Sequence, residues 1–220
     1  MAANEVVTQN APAAPQRRML VVGSSGGIGR SVVAAATERG WTCVGADRHS
    51  ECHLDLSDRD GLEMELVRLF AERGPFDAVV YAAGVCPVAP LATLDAETLA
   101  FVQFVNCDAF ILLAKAYAAL GAHPRGGGVM VAVSSVSARE GWAGGAAYCA
   151  SKGALSAAAR ALDVELAPKR IALRVVEPGH VLTDMFRRGA GRMGVPESAA
   201  MKPADLAERI LGMVEGSSCH

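Results

Sequence analysis

A tyrosine and a lysine four residues apart, preceded by a serine, are the side chains in this sequence best suited to chemistry. Tyr148 and Lys152 fall in an alanine-rich stretch, residues 146–167, that is predicted to be one helix, so both lie on the same face. A free phenol has a pKa of about 10, and a nearby ammonium favours the phenolate. We therefore expect Lys152 to lower the pKa of Tyr148, which could then exchange a proton with an alcohol or ketone. Ser135 follows a predicted buried strand, residues 129–133, that delivers its hydroxyl to the same cleft.

A Tyr-x-x-x-Lys spacing also arises by chance, so the interpretation depends on the elements that position it. The apolar run 19–22 ends in a glycine-rich stretch, and a helix is predicted over residues 31–39. Without Cβ atoms such a loop can lie against a pyrophosphate, whose charge meets backbone amides and the positive end of the helix. A plain tight turn is the alternative, but the strand-loop-helix context favours cofactor binding. The predicted contacts are Gly23, Ser25, Gly27, Ile28 and Gly29.

The second predicted strand, residues 41–46, ends in Asp47. An aspartate about twenty residues past the loop can accept hydrogen bonds from the adenosine ribose and would repel a 2′-phosphate, which favours NAD over NADP. Arg48 leaves open that a guanidinium stacks on adenine or binds a phosphate, and a solvated Asp-Arg turn is a further alternative. A short extended piece, residues 53–56, directs Asp55 towards the adenine amine.

The rest of the chain alternates predicted strands and helices. Residues 184–200, with several glycines, are predicted to be irregular and to form a candidate lid. The alternation predicts one α/β domain over residues 18–216: a doubly wound parallel sheet of the Rossmann type in a three-layer αβα arrangement. Residues 1–17 are expected to be a disordered extension, and residues 217–220 a tail. The remaining predicted elements are a helix at 60–73, a strand at 76–81, a long helix within 94–120, a strand at 171–176 and a helix at 203–214.

Composition limits the classes of function. With 220 residues, 51% of them apolar, and a net charge of −2, the chain offers no basic surface for nucleic acid, which leaves small-molecule chemistry as the default. The six cysteines show no C-x-x-C or His spacing typical of a metal site, so no metal is expected and the thiols are read as reduced in a cytoplasmic protein. No signal-peptide pattern occurs, and no uninterrupted apolar stretch approaches the length of a membrane span.

Residues 18–214 resemble the short-chain dehydrogenase/reductase family. The family's motifs match, in order and on the expected elements, Gly23, Gly27 and Gly29, Asp47, Asp55-Leu56, Tyr81-Ala82-Ala83-Gly84, Asn106, Ser135, Tyr148 with Lys152, and Pro178, Gly179 and Thr183. The resemblance implies that Tyr148 is the general acid/base and that Lys152 lowers its pKa and binds the nicotinamide ribose. It implies further that Ser135 holds the substrate oxygen and that Asn106 anchors a proton-relay water. The other cofactor contacts that it implies are Asp55, Leu56, Ala83, Gly84, Pro178, Gly179, Val181 and Thr183.

Three features depart from the family pattern. Val22 stands where the family has a threonine, and Tyr81 and Ala82 stand where it has two asparagines; losing both sides of that hydrogen-bonded support suggests an apolar substitute. The family's strand after the last helix is missing, so we expect a shortened C-terminus, a six-stranded sheet and a doubtful tetramer. A homodimer remains expected, through the small-residue helix faces that include Gly153, Ala157 and Ala161.

The predicted activity is transfer of a hydride between NAD(H) and a secondary alcohol or ketone. The alternative is an NAD(H)-binding regulator or scaffold that has lost turnover; a dehydratase or isomerase is disfavoured, because such relatives often abandon the Tyr/Lys pair.

Cys149 is either a redox-sensitive thiol or, more simply, a helix-packing residue. His180 is either a substrate contact or structural. A mainly apolar substrate pocket is predicted from Val85, Cys86, Trp142, His180, Met185 and Phe186.

Overall fold

Six parallel strands form the central sheet of the computed structural model, which describes residues 16–122, 127–193 and 195–216. Their spatial order is β3-β2-β1-β4-β5-β6. The order reverses direction between β1 and β4, and the crevice at such a switch point is where doubly wound sheets bind ligands. The fold class and the six strands predicted from the sequence are confirmed. The strands are β1 (Arg18–Val22), β2 (Thr42–Asp47), β3 (Cys52–His53), β4 (Ala78–Tyr81), β5 (Gly128–Val133) and β6 (Ile171–Val176).

Helices cover both faces of the sheet, because alternate strand residues point to opposite sides and both sides are apolar. The helices are α1 (Gly27–Glu38), α2 (Leu62–Arg73), α3 (Ala96–Gly121), α4 (Ala146–Leu166), α5 (Asp184–Met193) and α6 (Pro203–Glu215). On β1, Met19 and Val21 pack with the cluster that holds α1 and α6, whereas Leu20 and Val22 pack with the cluster that holds α2, α3 and α4. This is the predicted three-layer arrangement.

Helix α3 contains two π-helical segments, Phe104–Asp108 and Tyr117–Gly121. By length and composition alone α3 could cross a membrane, although Gln103, Asn106, Asp108 and Lys115 interrupt its apolar residues. Half of its apolar window is buried inside the protein, where Phe110 and Leu113 pack in the core beside the sheet. Its apolar composition therefore fits a core helix of the three-layer domain.

Two boundaries also differ from the sequence predictions. Residues 184–200 are not irregular: they hold α5 and a short 3₁₀ turn, Glu197–Ala199, so the predicted lid is largely helical. Arg17, placed by the sequence in the N-terminal extension, lies over the ring of Trp41 at 4.4 Å and contacts Glu215 at 3.6 Å. Residues 1–15 and the predicted tail lie outside the described residues.

The edge of the sheet at β6 is capped by side chains. The Leu173 amide donates to the Asp163 carboxylate at 2.8 Å, and the Arg174 guanidinium donates to the Leu173 carbonyl at 3.0 Å. Arg174 also pairs with Asp163 at 3.2 Å. An edge strand leaves backbone groups that another strand could pair with, and these side-chain contacts use up those of Leu173.

Candidate active site

Two adjoining cavities open at the carboxyl ends of the strands. The first, about 470 Å³, lies above the turn after β1 and the end of β2; the second, about 520 Å³, lies beside the end of β5 and the start of α4. Ile28, Thr183 and Met185 line both, so the two cavities meet at this wall. The two cavities are therefore neighbours that share part of their lining.

The turn after β1 is shaped by close backbone approaches. Gly23 has φ +84°, and a Cβ there would lie 2.7 Å from the amide nitrogen of Ala83 on the turn after β4. A Cβ on Gly27 would lie 2.8 Å from the Thr183 methyl group, and one on Gly29 would overlap the carbonyl oxygen of Gly23. Gly26 begins α1 without a side-chain cap. The turn thus presents backbone and the N-terminus of α1 to the first cavity, as a diphosphate cradle requires.

Asp47 lies at the far end of the first cavity and already holds the turn. Its Oδ2 accepts hydrogen bonds from the Ser24 hydroxyl and the Ser25 amide, both at 2.7 Å, and its Oδ1 accepts one from the His49 amide at 2.8 Å. Burial alone would raise the pKa of Asp47, but these hydrogen bonds outweigh burial and lower it. Arg48 lines the same cavity. Asp47 is therefore a fixed negative charge where the adenosine end of a dinucleotide would lie.

The remaining predicted cofactor residues divide between the two cavities. Asp55 lines the first, where its carboxylate accepts hydrogen bonds from the Ser57 amide at 2.9 Å and hydroxyl at 2.6 Å. Gly29 and Lys152 line neither, since both are buried behind the walls. The first cavity is lined by Gly23, Ser25, Gly27, Ile28, Asp47, Asp55, Leu56, Ala83, Gly84 and Thr183, and the second by Tyr148, Pro178, Gly179 and Val181.

Tyr148, Ser135 and Lys152 come together at the second cavity. Tyr148 and Ser135 both line this cavity, close enough for the Ser135 hydroxyl to act on the Tyr148 phenol, and Ser135 Oγ accepts the Ser137 amide at 3.1 Å. Lys152, only 4% exposed, places its Nζ 5.8 Å from the centre of the Tyr148 ring and donates to the Val133 carbonyl at 2.8 Å. The helical i, i+4 spacing and the end of β5 thus bring these side chains together, as the sequence predicted.

The predicted lowering of the Tyr148 pKa is not found in this structure. Burial, with a smaller contribution from the nearby Cys86 thiol, outweighs the hydrogen bond from Ser135 and raises the pKa of Tyr148 to about 12. Burial lowers the pKa of Lys152 to about 8. The expectation was wrong because spacing predicts proximity, whereas the degree of burial depends on elements distant in the sequence.

The side chain of Asn106 hydrogen-bonds to the backbone of the turn after β4. Its Oδ1 accepts the Val85 amide at 2.8 Å, and its Nδ2 donates to the Val85 carbonyl and to the Ser151 hydroxyl, both at 2.9 Å. Ser151 in turn donates to the Tyr148 carbonyl at 2.8 Å. Both amide hydrogens of Asn106 are therefore engaged. The side chain links the turn after β4 to the first residues of α4.

Tyr81 is the residue whose part in the site the sequence reasoning missed. Its hydroxyl donates a short hydrogen bond to the carbonyl of Val105, inside the π segment that carries Asn106. Val22 and Tyr81 pack in the same apolar cluster, as an apolar substitute would, and the Tyr81 hydroxyl adds a polar contact that was not expected. The signal in the sequence was a tyrosine among small residues at the end of a buried strand.

Five of the six residues from which the substrate pocket was predicted line the second cavity, whereas Val85 lines the first. The Trp142 indole donates to the Ser137 hydroxyl at 3.2 Å, and its ring lies 6.4 Å from that of Tyr148. The rings of His180 and Phe186 lie 5.5 Å apart on the opposite wall. The walls near the Tyr148 hydroxyl are thus mainly aromatic and apolar, with His180 as a polar group.

Comparisons with known proteins agree with this arrangement. The sequence model described as "short chain dehydrogenase" matches residues 17–191. L-xylulose reductase from Bos taurus is 33% identical over 184 residues, which cover 77% of this chain and 73% of that protein. A short-chain type dehydrogenase/reductase from Mycobacterium marinum superimposes with a TM-score of 0.82 at 25% identity, covering 92% of this chain and 91% of that one. A short chain dehydrogenase from Burkholderia cenocepacia J2315, solved in complex with NADP, gives 0.79 at 22% identity, covering 91% and 85%.

Proposed function

This chain belongs to the short-chain dehydrogenase family of oxidoreductases, and we propose that it transfers a hydride between NAD(H) and a secondary alcohol or ketone. The observation that carries the proposal is the placement of Tyr148 and Ser135 together on the wall of the second cavity, with Lys152 buried beside them. A substrate oxygen placed between these two hydroxyls would contact a proton donor and a second hydrogen-bonding group. The cavities meet at Thr183 and Met185, which supports a cofactor in the first and a substrate in the second.

The residues of the first cavity fit a nicotinamide dinucleotide. The absence of Cβ atoms at Gly23 and Gly27 lets the turn lie close to Ala83 and Thr183, and a diphosphate would bind to its backbone beside the N-terminus of α1. Asp47 would hold the adenosine ribose, and Thr183 and Val181 the nicotinamide amide. The cofactor, when bound, supplies or accepts the hydride. The protein's own contribution is positioning and electrostatics.

In the reducing direction, Tyr148 donates its proton to the carbonyl oxygen while Ser135 holds that oxygen by a hydrogen bond. Lys152 has one of its three ammonium hydrogens on the Val133 carbonyl, which leaves two for other partners. Those two hydrogens would bind the nicotinamide ribose. Asn106 holds the turn after β4 and the first turn of α4 through Val85 and Ser151. In the oxidising direction the same proton returns to Tyr148.

The preference for NAD(H) rests on the Asp47 carboxylate, which is ionised and fixed by its three hydrogen bonds. A 2′-phosphate beside it would be repelled. Arg48 in the same cavity, and the NADP bound to the relative from Burkholderia cenocepacia J2315, support NADP(H) as the alternative. Binding affinities for the two cofactors decide between them.

For the substrate, the aromatic and apolar walls around Trp142, Met185 and Phe186 favour a cyclic or aromatic alcohol or ketone. The name of the bovine relative points instead to a ketose such as L-xylulose.

We also propose a homodimer through α3 and α4, because Ala157, Ala161 and Val164 on α4 are exposed. Light scattering on the purified protein tests the dimer.

Two measurements on the wild-type protein test the function. Fluorescence titration with NADH and with NADPH gives the two affinities, and NADH is expected to bind more tightly. A panel of cyclic, aromatic and sugar ketones, with the matching secondary alcohols, then tests turnover by cofactor absorbance. Binding without any turnover would favour the regulator or scaffold, whereas binding of neither cofactor would overturn both functions.

A further inference from the structure

The π segment Phe104–Asp108 places a backbone carbonyl opposite a buried tyrosine. A π turn interrupts the regular i→i−4 ladder of a helix, and such interruptions are frequent at functional sites. The Val105 carbonyl in this segment accepts the hydroxyl of Tyr81, the last residue of β4. Tyr81 is 0% exposed, and its ring packs edge-on against Phe110 at 5.5 Å. Burial raises the pKa of Tyr81, so the hydroxyl keeps its proton and remains a donor.

A second set of hydrogen bonds joins β4 and its following turn to α3, one residue further along the helix. Asn106 grips both the amide and the carbonyl of Val85, four positions after Tyr81. The Tyr81–Val105 and Asn106–Val85 bonds therefore pin both ends of the turn after β4 to the π segment. Without the first bond, the hydrogen bonds that join the π segment to this turn, among the residues that the structure describes, would be those of Asn106.

The turn after β4, held by these hydrogen bonds, lies next to the first cavity and to the residues around Tyr148. Gly84 lines the first cavity, and a Cβ there would lie 3.2 Å from Asn106 Oδ1 and 3.4 Å from Lys152 Nζ. From Asn106 the bonds continue through Ser151 to the carbonyl of Tyr148. A shift of the Val105 carbonyl would therefore be passed on to Lys152, to Tyr148 and to Gly84 in the lining of the first cavity.

We propose that Tyr81 is a positioning residue: its hydroxyl fixes the π segment and thereby sets Asn106, the turn after β4 and the start of α4 for the reaction. The proposal rests on the proposed function for its kinetic consequence. Tyr81 touches neither cavity and acts through Val105 and Asn106. Its part is distinct from those of the residues at the Tyr148 hydroxyl.

The chain offers a matched control in Tyr117. Tyr117 is also 0% exposed, begins the other π segment, and donates its hydroxyl to a backbone carbonyl, that of Phe76, at 3.0 Å. It lies at the opposite end of β4 from the cavities. Tyr81→Phe and Tyr117→Phe each remove one buried hydroxyl and one hydrogen bond. A general loss of stability should therefore be similar in the two variants.

The direct test of positioning is the rate of hydrogen exchange at the Val85 amide, which donates a hydrogen bond to Asn106 Oδ1. Tyr81→Phe is expected to speed this exchange by about tenfold relative to Tyr117→Phe, because the π segment loses the Tyr81–Val105 hydrogen bond and keeps only the Asn106–Val85 pair. This measurement needs neither cofactor nor substrate. Unchanged exchange at Val85 in Tyr81→Phe would overturn the proposal, whatever the activity of the protein.

The kinetic readout separates positioning from stability. Tyr81→Phe is expected to lower kcat by about tenfold to a hundredfold with KM for the ketone little changed, whereas Tyr117→Phe keeps wild-type kinetics. Combining Tyr81→Phe with Asn106→Ala should lower kcat no further than Asn106→Ala alone, since both act through one element. Equal kcat in the two Phe variants, or additive losses, would overturn the proposal. Absence of wild-type turnover would instead count against the proposed function, with the Val85 exchange still deciding on Tyr81.

Discussion

The two cavities of the site are built in opposite ways. The first is shaped by missing atoms: Gly23, Gly27 and Gly29 each lie so close to other backbone or side-chain atoms that a Cβ would overlap them. The second is lined by side chains that are present, among them Ser135 and Tyr148, with Lys152 buried behind its wall. The comparison teaches that adding one atom should damage the first cavity, whereas removing one atom should damage the second.

The strongest test removes the Tyr148 hydroxyl. In Tyr148→Phe we expect kcat to fall by about 10²–10⁴-fold, because the general acid is lost, while NADH affinity changes by no more than a few-fold. The variant keeps the ring that packs near Trp142, so the fold should persist. Steady-state kinetics and NADH fluorescence measure the two effects. Retained turnover would contradict the assignment of Tyr148 as acid and base.

The elements of this site were predictable from the sequence to different degrees. Local patterns predicted the strand-loop-helix at Gly23 and the shared face of Tyr148 and Lys152, because both depend on neighbours within a few residues. The pKa of Tyr148 and the Tyr81–Val105 bond were not predicted, because they depend on residues brought together from distant segments. Helix α5 was missed because its glycines were read as loop signals, although its apolar residues recur at helical spacing.

The first cavity is tested by adding a methyl group. Gly23 and Gly40 have nearly the same backbone conformation, φ +84° and +79°, but an added Cβ would meet other atoms within 4 Å only at Gly23. Gly40→Ala should therefore cost about 1 kcal/mol from backbone strain alone. Gly23→Ala should cost about 1–3 kcal/mol more from overlap with Ala83, and should weaken NADH binding at least about tenfold. Urea unfolding and NADH titration measure both; equal losses in the two variants would refute the close-approach argument.

The buried ammonium of Lys152 makes a pH-dependent contribution to stability. Its pKa is about 8 in the folded protein and 10.5 when unperturbed, so the native state releases this proton first as pH rises. Below about pH 8 the cost of burying the cation is fully present, and between about pH 8 and 10.5 the stability gains as that cost is removed.

This contribution can be isolated by comparison with Lys152→Met, which keeps a long side chain without the charge. The free energy of unfolding of the wild type, relative to Lys152→Met, should rise by about 1–2 kcal/mol between about pH 7.5 and about pH 9.5. Other titrating groups are shared by the two chains, so the difference isolates Lys152. A difference that stays constant with pH would mean that the ammonium is better solvated than its 4% exposure indicates.

The smallest expected effect lies at the far end of the first cavity, where a side chain matters by its charge. Asp47→Ala and Asp47→Asn should both reduce the preference for NADH over NADPH by about tenfold, because each removes the charge that repels a 2′-phosphate. Asp47→Asn keeps an oxygen that can accept from Ser24, so the turn should hold better than in Asp47→Ala. If only Asp47→Ala shifts the preference, the carboxylate selects the cofactor through the shape of the turn, and this end of the first cavity depends on a side chain's hydrogen bonds just as the second cavity does.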